Sequence, residues 1–574
     1  MAEDMIYKPR EIYTRFLEKQ LHEEADKWFD DLAAKANVNK DENALHVKAY
    51  QAAKAEEEAA EKKAKSGQGW ATFMLVMGII FAIVLIGIIF LVLYFTTFKK
   101  MKKERADILE KAKAKTKAKL DICYADVAAL NASFDWNMPC KVLEKASTLL
   151  ELDPTFKTER MQQLIVGYGY QEDDNYLHSV LGSNSGAING NPFFLERVSE
   201  CEVRDKTYTG TLVITWTTTS RDSDGHTHTD VHTQTLIATL DKPAPFYEDT
   251  TRLIYGNDAA PKLKFSRYPS GVSGKSEKEI ESFVKSKVKE LEKQEKKAIK
   301  KGENFTKMGN DEFDALFGAN DRNNEVEFRL LFTPLAQTNM INLIKKPDPF
   351  GDDFVMVKDK KITSVASRHS QSFDYSASPA RFRGFDVAAM KQAFVGYCDD
   401  FTKNLYFDLA PIMSIPLYQL HRSNENLRYG AYPSNFTKHE QETMINGLDP
   451  ALFRPKDASV ELPVIMKAVA STPSGKDDIV EVLATSYIAT PQVELVPRLG
   501  GDGHTHLVPV PWVEYTEVQK TSFVGVGEVG SSAQEAAEKM AKIPAGQAHY
   551  ERGLVSCYLG DKPSNAFAEL RKVF

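Results

Sequence analysis

The sequence predicts an α+β protein. It should have an N-terminal helical tail, one transmembrane helix, a helical stalk and an antiparallel, β-rich cytoplasmic body with interspersed helices. Three observations carry this. Ala71–Phe98 is a run of 28 residues without a charge. The segments on either side repeat apolar residues at three- to four-residue steps, the period of a helix. From Phe193 onward the period falls to two, and Val, Ile, Thr and aromatic residues dominate, as in strands.

Taken in order, residues 1–69 read as the helical tail, with Ile12, Phe16, Leu21, Ala25, Trp28 and Leu32 on one face and charge on the other. Residues 70–98 read as the transmembrane helix, since about 20 apolar residues suffice to cross a bilayer. Trp70 and Tyr94 stand near its ends, where amphipathic rings favour the interface. Nine lysines and arginines follow the run within 20 residues and four precede it, which places the C-terminal side in the cytoplasm. All five cysteines lie beyond the run and none forms a Cys-x-x-Cys pair, in keeping with a reducing compartment. The expectation is a single-pass cell-membrane protein whose large C-terminal part is cytoplasmic and whose first partner is the lipid bilayer. Residues 99–181 form a juxtamembrane stalk, and each of its early lysines can add about 1 kcal/mol of attraction to anionic lipid.

Residues 193–370 read as a first α+β domain. Long threonine-rich strands come first. A charged helix follows near Ser276–Lys300, opened by the capping pair Ser276 and Glu279. Val326, Phe328, Leu330 and Phe332 alternate with their neighbours and predict a half-buried strand, with Phe328, Leu330 and Phe332 on a core face. Thr333 and Pro334 then open a helix. The segment Phe313-x-x-x-Phe317, Asp321, Glu327-x-Arg329, Leu331-Phe332-Thr333-Pro334 and Met340 resembles a bacterial, membrane-anchored domain-of-unknown-function family. Phe332 departs from that family's usual Leu. The resemblance covers residues 310–345 well and 100–370 loosely. It implies an envelope protein and no known activity. Residues 381–574 read as a second α+β domain, with Pro509 and Pro511 marking an edge strand and a short helix over Ser531–Ile543.

The candidate chemistry lies in a repeated word. Asp-Gly-His-Thr-His occupies Asp224–His228 and again Asp502–His506. Alternation puts His226, His228, Asp230 and His232 on one strand face. Histidines two apart on a strand can reach one ion, so His226, His228 and His232 are candidate ligands for zinc or a similar divalent metal. The competing reading needs no cofactor: Asp-Gly is a hairpin-turn signal, and both words mark exposed tips with Gly225 and Gly503 at positive φ. The repeat also suggests two related β units. Three near-motifs depart from their patterns. Pro269–Ser276 ends like a phosphate-binding loop but begins with proline. Gly525–Gly530 fits a dinucleotide fingerprint with too little chain after it. The loop at Ser220 lacks the first and last ligands of a calcium loop.

The net charge of −7 gives no basis for general nucleic-acid binding. The reading is a membrane-anchored binding or scaffolding protein of the bacterial envelope, associating with other envelope proteins or with itself. The alternative is a metal-dependent enzyme or metal-binding sensor built on His226, His228 and His232.

Overall fold

A computed structural model of the chain describes residues 8–80, 99–146, 150–347, 349–421, 429–529, 540, 543–544 and 546–562. The chain forms two units from interleaved segments, whereas the sequence divides most simply into consecutive blocks. One unit holds residues 14–146 and 376–403; the other holds 1–13, 147–375 and 404–574.

The first of these is helical. Leu21, Ala25, Phe29 and Ala33 repeat every four residues along the helix Glu18–Lys35 and are all buried. Phe29 meets Phe134 and Phe394 at ring-centroid distances of 6.3 and 6.0 Å. The helices Lys40–Ile80 and Lys99–Asp126 lie alongside each other.

These two helices correct the expected transmembrane helix. Among the described residues no helix is long and apolar enough to cross a membrane. Residues 81–98, most of the uncharged run, lie outside the described residues, as does Tyr94. The flanks give the physical reason. Arg105 donates to the Lys63 carbonyl at 3.0 Å, and Lys115 pairs with Glu56 at 2.6 Å. The two helices therefore run antiparallel, with residues 63 and 105 side by side. One crossing would carry those flanks to opposite faces, about 30 Å of hydrocarbon apart. The membrane, transmembrane and single-pass readings that rested on this helix are withdrawn.

The second unit is β-rich, and among the described residues its strands all pair antiparallel. Strands β1 (Leu150–Leu152), β2 (His178–Ile188), β3 (Asn191–Arg221), β4 (Thr227–Gly256), β5 (Lys264–Arg267), β6 (Phe354–Asp359) and β7 (Ile362–Ser367) form one sheet in the order β1-β2-β3-β4-β7-β6-β5. Strands β8 (Ile465–Ser474), β9 (Asp477–Leu499), β10 (Thr505–Glu528), β11 (Ala548–Glu551) and β12 (Leu554–Gly560) form the other, in the order β11-β12-β10-β9-β8.

The two sheets share one plan. A meander, β2-β3-β4 or β8-β9-β10, is followed by a hairpin whose second strand pairs with the long returning strand. Each meander carries a register shift in its first pair, between Val180 and Gly182 and between Ala468 and Ala470. A helix precedes each meander. Met161 and Leu164 of the first pack on Phe194 and Ile254, which are cross-strand partners. Met444 and Ile445 of the second pack on Val480 and Val524, also partners. Phe156, Leu164, Ile165 and Gly167 correspond by spacing to Phe436, Met444, Ile445 and Gly447.

The second helix, Lys438–Asn446, is unusual in burying polar side chains. Glu442 accepts from the Val180 amide at 2.7 Å and from the Ala468 amide at 3.2 Å, so one carboxylate serves the bulges of both sheets. Lys467 stands 3.2 Å from it. Burial raises the Glu442 carboxyl above its ordinary value against the pull of Lys467. Such buried acceptors are needed because a bulge leaves an amide without a ladder partner.

An insert between β5 and β6 holds the region of family resemblance. Phe265, Phe313, Phe317, Phe328 and Phe332 form one buried aromatic cluster. The expected strand through Val326–Phe332 is instead the helix Glu325–Leu331. Asn324 caps it by accepting from the Glu327 amide, and Glu325 and Glu327 favour its first turn. Phe328 and Phe332 are buried as foreseen, four residues apart on one helical face, while Leu330 is 55 % exposed. Thr333 and Pro334 do open the next helix, Pro334–Ile344.

Candidate functional site

Beyond the sheets, β3 with β4 and β9 with β10 continue as two long hairpins. Among the described residues, β3 pairs with β2 only as far as Glu200, and its remaining residues pair with β4 alone. The inner faces of the hairpins pack together: Ile214, Leu236 and Ala238 meet Val508 and Val510. Nearer the base, Lys242 pairs with Glu494 at 2.8 Å and stands 4.7 Å over the Trp512 ring. Close approach requires glycine at position 210, where a Cβ would lie 2.1 Å from the Pro509 carbonyl oxygen.

Both repeated words sit at the tips and fold alike. Asp222 N–H donates to His226 O at 3.0 Å and Gly225 N–H to Asp222 O at 3.2 Å. Gly500 N–H donates to His504 O at 2.8 Å and Gly503 N–H to Gly500 O at 3.0 Å. Gly225 and Gly503 have φ of 85° and 79°, which a side chain would resist. The turn is a three-residue loop with a left-handed glycine, not a two-residue one. In each tip an aspartate binds its own loop. Asp222 accepts from the His226 amide and faces His228 Nε2 at 3.2 Å. Asp502 accepts from the His504 amide and faces His506 Nε2 at 2.9 Å. These amides, with the histidines, hold both carboxyls below the ordinary aspartate value.

Two of the three candidate ligands are tied to Asp222, one by its backbone and one by its ring, and the third is held elsewhere. The His226 amide is tied to Asp222, His228 pairs with the Asp222 carboxylate, and His232 stacks on Trp216 at 5.3 Å and bonds Thr218 Oγ1 at 2.7 Å. Among the described residues no group of three His, Cys, Asp or Glu side chains is placed to hold a metal ion. The second tip ends beside the first hairpin: Gly501 N–H donates to Gln234 Oε1 at 2.7 Å.

The near-motifs find other uses. The loop of Pro269–Ser276 wraps Asp352, which accepts from Ser270 Oγ at 2.7 Å and the Gly271 amide at 2.8 Å and pairs with Arg267. A carboxylate of the chain itself thus fills the place an anion would take. Gly525–Val529 belongs to β10 and its end, while Gly530 and most of Ser531–Ile543 lie outside the described residues. Sequence reasoning missed the buried cluster at the base of the hairpins. Glu196 lies between Arg252 and His439, the latter at 2.9 Å. Burial opposes its charge, but His439 and Arg252 hold it down to about 2. The cavity there is about 20 Å³, room for a water and not for a substrate. The one signal was the polar run His439–Glu442 ahead of Met444 and Ile445 in one helix.

No family model matches the chain, and no curated protein or solved structure matches it.

Proposed function

We propose that the chain is a binding or scaffolding protein whose working element is the paired hairpin arm. One observation carries the reading: the two hairpins bury their inner faces on each other and leave their outer faces uncovered. On the first, Thr211, Val213, Thr215, Thr217, Val231, Thr233, Thr235 and Ile237 are all exposed. On the second, Val493, Leu495, Leu499 and Leu507 are 64, 55, 70 and 55 % exposed. Contiguous apolar or β-branched surface of this kind marks interaction sites. The test removes residues 211–237 and 495–509, closes each hairpin with a short turn, and compares proteins retained by the intact and shortened chains. Selective loss of a defined set supports the arm; an unchanged set sinks it.

A further inference from the structure

The two hairpins manage their open edges differently. A hairpin edge offers unpaired amides and carbonyls that template further pairing. At both tips the closing bond joins even-numbered residues, Asp222 with His226 and Gly500 with His504. The register runs without a shift along both arms. By antiparallel alternation, odd-numbered residues turn their N–H and C=O groups outward. Pro491, Pro497, Pro509 and Pro511 of the second hairpin all stand at such odd positions, so four outward donors are missing there. On β4, Pro243 and Pro245 do the same near the base, and Asp230 lies toward the tip.

Between Asp205 and Lys206 at the base and Arg221 at the tip, strand β3 has none of these guards. Tyr208–Ser220, "YTGTLVITWTTTS", is thirteen residues without a charge or a proline. Its outward positions are Thr209, Thr211, Val213, Thr215, Thr217 and Thr219, all exposed. Low charge, high β propensity and an open edge together make a strong pairing template. Two such strands laid antiparallel place threonine and valine opposite one another and bring no like charges together.

We infer that this edge of β3 pairs with the same edge in a second copy of the chain, joining two β3–β4 ribbons into one four-stranded sheet about a two-fold axis. This rests on the arm being the binding element. The experiment is light scattering on the full chain. The wild type should show twice the 64.4 kDa chain mass. Thr215→Pro removes only an outward donor and should return the mass to a single copy, with Thr215→Lys as a second edge variant that keeps the backbone intact. Thr233→Pro, on the β4 edge opposite Thr215, should leave the doubled mass unchanged. A single-copy wild type, a doubled Thr215→Pro and Thr215→Lys, or a single-copy Thr233→Pro would each overturn the inference. A single-copy chain that still retains its partners through the arm would leave the proposed function standing.

Discussion

The two β modules follow one backbone plan and use it differently. In the first, the helix before the meander presents Met161 and Leu164 to its sheet, and Gln162 is only half-buried. In the second, the corresponding helix buries His439, Glu440, Gln441 and Glu442 as well as its apolar residues. Glu440 accepts from the Phe156 amide at 2.7 Å and Gln441 donates to Asp478 at 2.9 Å. The plan fixes where strands, bulges and tips lie. The side chains decide which copy also acts as the joint between sheets. The same separation holds along the arms, where the turns match while prolines guard both edges of the second hairpin and only the β4 edge of the first.

Four measurements break or sharpen this comparison. The largest effect should come from the insert that only the first module carries between β5 and β6. Phe328→Ala opens a cavity in the aromatic cluster and should cost about 4 kcal/mol in urea unfolding; a loss under about 1 kcal/mol would mean that the cluster collapses around the gap. Next, Glu442→Ala leaves two bulge amides and Lys467 without their acceptor and should cost about 3 kcal/mol. The matched change Gln162→Ala should cost under about 0.5 kcal/mol. Equal losses at the two positions would erase the distinction between the helices.

The third concerns pH. His369 lies between Asp353 at 2.7 Å and Asp408 at 3.3 Å. Burial lowers its pKa, but the two carboxylates outweigh this and raise it to about 9. Its contribution is fully present below the unfolded value near 6.5 and is lost as pH rises through 9, about 3 kcal/mol in all. Lys358 gives the opposite slope, since burial holds its amine down to about 7 and its penalty lifts as pH rises toward 10.5. The difference between wild type and His369→Asn isolates the histidine, and a difference that stays flat between pH 6.5 and 9 would refute its role. The smallest effect belongs to the tips. Gly225→Val and Gly503→Val should each cost about 1 kcal/mol by thermal melting, because both demand positive φ. Unequal losses would show that the shared word does not fold the two turns alike.

Much of this was legible in the sequence where local chemistry decides. Asp-Gly at 224–225 and 502–503 marked both tips, Ser276 with Glu279 marked a capping box now seen, and Thr333-Pro334 marked a helix start. Two readings failed and one feature was missed, the first for a local reason and the others because distant residues decide. Val326–Phe332 alternates like a strand, yet two of its apolar residues are also four apart, and the Asn324 cap settles the choice. Uncharged residues 71–98 satisfied the length rule, but only the antiparallel pairing of residues around 63 and 105 revealed the direction of the returning chain. The Glu442 junction left no signal beyond a polar helix, because its partners lie in strands hundreds of residues from one another.

The order of the two hairpins along the chain has a consequence for biosynthesis. Leu236 emerges from the ribosome roughly 270 residues before Val508, which covers it in the finished protein. At 5–20 residues per second, the inner face of the first ribbon waits on the order of 15–50 s for its cover, with the bare β3 edge exposed as well. Over that interval the first hairpin has an uncovered apolar face and an open strand edge, and slowing translation between the hairpins should lower the soluble yield.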